Sequence, residues 1–155
     1  MEKLPEVETA KALMTEAMIW SVMKWLREKK RVRKTADQAN AALDQLSVVT
    51  RQRWPDRVRA AYDALVIQAT GAATTPEQQK LPPAVIDPEA TLIARKIKET
   101  DDEAYRARMD AEEAFDEAER QLSTRLAREG CKKAIHSWDL HEKAIRKAES
   151  LIRPK

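Results

Sequence analysis

Glycine, cysteine and aromatic residues are scarce in this chain, and each scarcity excludes something. Of 155 residues only two are glycine, Gly71 and Gly130, far apart. A glycine-rich loop that cradles phosphates is therefore absent. The single cysteine, Cys131, rules out an intrachain disulfide framework, and a reducing compartment such as the cytoplasm fits best. The two histidines, His136 and His141, are five apart. On a helix that turns them about 140° from each other. No Glu-x-x-His pair is present to build a di-iron bundle site. The longest apolar run, Ala17–Leu26, is ten residues with Lys24 inside it. A bilayer span needs roughly 20. Glu2, Glu6 and Glu8 stand where a secretory signal would carry its charged-then-apolar pattern. The sequence predicts no cofactor, no metal site, no catalytic residues and no enzyme activity.

Charge and helix formers are abundant. Asp, Glu, Lys and Arg make up 35% of the chain, against about 25% in an ordinary soluble protein. The net charge is only +3, so both signs are present in quantity. Ala, Leu, Glu, Lys and Arg dominate, and these are strong helix formers. The seven prolines are Pro5, Pro55, Pro76, Pro82, Pro83, Pro88 and Pro154. Neither proline nor glycine occurs between Pro5 and Pro55, or between Pro88 and Gly130. Because proline breaks helix interiors and suits first turns, these gaps predict helices.

The fold class predicted is all-α: an elongated antiparallel helical hairpin or bundle with coiled-coil character. Two long helices cover about 5–53 and 88–129, and two shorter ones cover 56–69 and 132–152. The first would be about 70 Å long. Trp54-Pro55 ends it, since the residue before proline avoids the α region. Asp87-Pro88-Glu89 starts the third helix with a capping acid and a first-turn proline. Residues 70–87 read as a Pro-rich linker inside a single helical domain spanning 1–155. Gly130 marks a kink or a helix end.

Heptad spacing gives each helix a seam. In the first it runs through Met18, Val22, Trp25, Lys29, Val32, Ala36, Ala39, Leu43, Leu46 and Thr50. In the third, Ala104, Ala107, Ala111, Ala114 and Ala118 allow a neighbouring helix to approach closely. In the last, the seam is Ala134, Trp138, His141, Ile145, Ala148 and Ile152. If the two long helices pair antiparallel, residue 30 faces residues 111–114. Lys29 and Arg33 would then meet Glu112 and Glu119.

Two stretches carry the functional prediction. Ala17–Leu26 is apolar all round, so more than one helix, or a partner protein, must cover it. Met18, Trp20 and Trp25 are its candidate partner-binding residues. Arg27–Lys34 is dense in cations, and Arg27, Lys30, Arg31 and Lys34 point away from the seam. The favoured function is a non-enzymatic helical interaction or scaffold subunit that docks on a protein partner or self-associates through apolar helix faces. The alternative is binding of nucleic acid or another anionic surface by the 27–34 face. Contact with a membrane surface ranks below both. Cys131, next to Lys132 and Lys133, is a weak nucleophile candidate, and His136 and Asp139 are spaced to pair locally.

Overall fold

The computed structural model describes residues 4–70 and 87–153, and all its regular structure is helical. Among the described residues there are five helices: α1 (Pro5–Ala17), α2 (Val22–Gln52), α3 (Asp56–Thr70), α4 (Pro88–Gln121) and α5 (Thr124–Ile152). Residues 71–86 of the expected linker lie outside the described residues.

The expected 5–53 helix is two helices. Its last turn before the break tightens, with the Met18, Ile19 and Trp20 amides donating to Thr15, Glu16 and Ala17. Ser21 then adopts an extended backbone and caps α2, its hydroxyl accepting from the Lys24 amide at 3.3 Å. No proline or glycine marks this break. The apolar ring around Trp20 and Trp25 drives it, because α1 folds back over α2 and α5 and supplies the missing cover.

The second correction lies at the other hairpin. The predicted 88–129 helix ends at Gln121, and the predicted short helix 132–152 is a long one that starts at Thr124. Leu122 takes the left-handed conformation (φ 50°), and Ser123 caps α5 by accepting from the Leu126 amide at 3.2 Å. A left-handed leucine costs about 1–2 kcal/mol, which is why sequence alone favours Gly130 as the break. Gly130 instead lies buried inside α5. A β-carbon there would stand 2.6 Å from the Phe115 ring. That ring is itself stacked on Trp25, so it has little freedom to retreat. Gly130→Ala should therefore lower stability by about 1–2 kcal/mol, overpacking outweighing the gain in helix propensity. Urea unfolding checks this, and a stabilised Gly130→Ala protein would contradict the packing.

Helices α4 and α5 form a close antiparallel hairpin. The alanine stripe of α4 is buried at Ala104, Ala111, Ala114 and Ala118, with Ala107 half-buried. Its close neighbour is α5, not the first long helix, because α5 presents small residues of its own: Ala127, Gly130, Ala134 and Ser137. Helix α2 lies alongside, antiparallel to α4 and parallel to α5. Arg33 reaches Asp116 and Glu119, Asp44 reaches Arg108, and Asn40 reaches Trp138. Residue 33 thus faces 116–119, roughly two turns from the predicted register. The reason is α3, which packs on the first half of α4 beyond the end of α2. Tyr62 donates to Asp101 at 2.6 Å, and Arg57 pairs with Asp87 at 2.9 Å.

Two apolar clusters result. One joins α1, α2 as far as Leu43, the end of α4 and the first half of α5 around Trp25, Phe115 and Trp138. The other joins Trp54, α3, the start of α4 and the end of α5 around Tyr62 and Ile97. Between them lies a polar layer.

Candidate interaction surfaces

The residues chosen from sequence as docking contacts sit mostly inside. Trp25 is 1% exposed and Trp20 8% exposed, with ring centroids 6.4 Å apart. Met18 is half-buried against the same cluster. Their neighbours are outside instead: Ile19 is 80% exposed, Met23 68% and Val22 40%. Leu122, at the α4–α5 turn, is exposed too. Arg128 of α5 donates to the Trp20 carbonyl at 3.1 Å, so the α1–α2 corner and the α4–α5 turn occupy the same end of the molecule. Sequence reasoning missed Ile19, Val22 and Met23 because a seam drawn through an unbroken helix assigns the wrong phase on either side of Ser21. A serine with lysine three residues on, where a capping box has Glu or Gln, gave little warning.

The basic quartet is where the sequence put it. Arg27, Lys30, Arg31 and Lys34 are all exposed. Arg31 pairs with Glu28 at 3.3 Å. Lys30 and Lys34, with Lys29 and Arg33, border an open groove that also holds Asp37 and Glu119. Arg33 is not available for a ligand in the same way. Burial works against its charge, but the hydrogen bonds it donates to Asp116 and Glu119 outweigh that and raise its guanidinium pKa further. Glu119 was the expected mate, whereas Glu112 stays on the exposed side of α4.

Of the polar layer, only His141 on the α5 seam was expected from sequence. Arg108 points inward from α4 and binds both carboxylate oxygens of Asp44, at 2.8 and 3.1 Å. The same guanidinium lies 3.0 Å from His141 Nε2. Arginine only donates, so His141 must accept through Nε2 and be neutral. Burial, then the Arg108 charge, push its pKa down to about 4, against a smaller pull upward from Asp44. Next to it the Trp138 indole N–H donates to Asn40 Oδ1 at 2.9 Å. This layer fixes the register of three helices through groups that match only in one arrangement.

The other titratable candidates resolve structurally. Cys131 is buried within α5, and burial pushes its thiol up to about 12, the opposite of an activated nucleophile. Asp139 pairs with Lys11 of α1, not with His136. Among the described residues no three His, Cys, Asp or Glu side chains converge on a possible metal position, and no helix is long and apolar enough to cross a membrane. No protein-family model, curated protein or solved structure matches the chain. Its function therefore has to be argued from its own surfaces.

Proposed function

We propose that the protein is a non-enzymatic helical interaction or scaffold subunit, an elongated bundle of coiled-coil character that docks on a protein partner through exposed apolar residues. The observation that carries this is the corner between α1 and α2. Trp20 and Trp25 are already covered from within, yet Ile19, Val22 and Met23 stand in solvent beside them, with Leu122 at the same end. A group of exposed large apolar residues at one end of a helical protein is a common mark of a partner site. The docking residues are then Ile19, Val22 and Met23, while Met18, Trp20 and Trp25 support the corner from below.

The test is the double substitution Ile19→Glu with Met23→Glu. Both side chains are exposed, so folding stability should change by less than about 0.5 kcal/mol. Association, measured by light scattering for self-association and by crosslinking in native extract for other partners, should be lost. An unchanged set of associations in the variant removes the corner as the docking site. The alternative reading, phosphate contact through Arg27, Lys30, Arg31 and Lys34, is supported by the exposure of all four. Replacing them with Gln separates the two readings, because it leaves the apolar corner intact.

A further inference from the structure

A second surface, independent of the apolar corner, runs along α5. Arg125, Lys132, Lys133, Lys143, Arg146 and Lys147 are all exposed. At 100° per residue they occupy an arc of about 140°, and from first to last they extend about 33 Å. Among the described residues none of the six makes an ion pair. Arg128 lies on the same arc and donates to the Trp20 carbonyl, and exposed His136 falls near its centre. Two acids share the arc: Glu129, which is half-buried, and Asp139, which is tied to Lys11. The chain's small net charge conceals this ridge, because eleven acids of α4 offset it in the total.

We propose that the α5 ridge binds the phosphate backbone of double-stranded DNA. The ridge is cationic and about as long as one turn of the B-form duplex, roughly 34 Å. The major groove of B-DNA, about 12 Å wide, admits a helix with phosphates on both sides. The deep, narrow groove of A-form RNA does not. Single strands are disfavoured, since they need aromatic platforms and the one aromatic of α5, Trp138, is fully buried. Anionic lipid is disfavoured as well. An interfacial helix inserts an apolar face, and the apolar face of α5 is taken up by the protein interior. The 27–34 quartet is a poorer candidate, because it extends only about 10 Å along α2 and adjoins the acidic end of α4.

The test is fluorescence anisotropy of the full chain with a labelled B-DNA duplex, repeated with a duplex RNA, a single strand, and phosphatidylserine vesicles. If the six cations each reach a phosphate, the logarithm of the affinity should fall with the logarithm of salt at a slope of about −5. That is a loss of about a thousandfold between roughly 50 and roughly 200 mM salt. The combined change of Lys132, Lys133, Lys143, Arg146 and Lys147 to Gln should reduce the slope to about −1. Changing Arg27, Lys30, Arg31 and Lys34 to Gln should leave it nearly unaltered. Undetectable DNA binding at low salt overturns the proposal, as does loss of binding in the 27–34 variant alone, or tighter binding to RNA, single strands or vesicles than to B-DNA. None of these outcomes touches the corner reading, whose variant keeps the whole α5 ridge.

Discussion

Trp25→Ala should destabilise the protein by about 3–5 kcal/mol, a large share of the roughly 5–15 kcal/mol that holds an ordinary domain folded. Trp25 is almost wholly buried, with its ring 6.4 Å from Trp20 and stacked on Phe115 at 6.2 Å. Phe115 in turn lies against Gly130, and the Arg33 guanidinium sits 5.3 Å from its ring. Removing the indole would open a cavity where α1, α2, α4 and α5 meet, and none of the four can move in without disturbing the others. Trp25→Phe should cost much less. The Trp25 indole N–H has no acceptor among the described residues, so replacing it removes a buried unmatched donor along with some apolar area. Trp138→Phe should cost more than Trp25→Phe, because it leaves the Asn40 oxygen without its donor. Urea unfolding followed by circular dichroism ranks the three. If Trp25→Ala kept full stability and lost only association, Trp25 would be a docking residue after all and the corner reading above would need reversal.

That contrast shows how far the sequence could be read. Proline placement located the α2–α3 boundary and the start of α4, because Pro55 and Pro88 act through local backbone sterics that need no neighbours. The α5 seam from Ala134 to Ala148 was legible for a similar reason: a strong period survives whatever packs on it. The apolar ring at 17–26 correctly implied several covering helices. It did not reveal that the chain supplies one of them by breaking at Ser21, since that break is favoured by burial elsewhere in the molecule. The Leu122 turn was hidden likewise, because a left-handed leucine contradicts local preference and survives only through the packing on both sides. The polar layer was least legible. Asn40 and Asp44 lie one turn apart on α2, but Arg108 and His141 are distant from them and from each other in sequence, and nothing in a single helix's pattern says that an arginine at position 108 turns inward. Charge was misjudged by being read in runs. The 27–34 cluster is conspicuous in the sequence, while the longer α5 ridge is spread over several turns and appears only once the helix is wound.

His141 makes stability depend on pH, with a sign opposite to that of a histidine gaining an acidic partner. In the unfolded chain its pKa is about 6.5; in the fold, burial and the Arg108 guanidinium lower it to about 4. Above about pH 6.5 the ring is neutral in both states, and its accepting bond to Arg108 contributes fully. As the pH falls from there towards 4, the unfolded chain takes up a proton that the folded chain refuses, so stability falls. Between pH 7 and pH 5 the loss attributable to this one group should be about 2 kcal/mol. Two carboxylates contribute as well. Asp101, raised by burial, works in the opposite direction, and Asp87, lowered first by its bond from the Ala90 amide and then by Arg57, works in the same direction at lower pH. The variant His141→Gln isolates the histidine, because Gln presents an oxygen to Arg108 and carries no proton. At pH 7 it should be somewhat less stable than the native protein, given the imperfect fit of its longer side chain. At pH 5 the gap should close or reverse by about 2 kcal/mol. Parallel unfolding curves for the two proteins at both pH values, with a constant gap, would mean that His141 titrates normally and that its bond to Arg108 does not hold in solution.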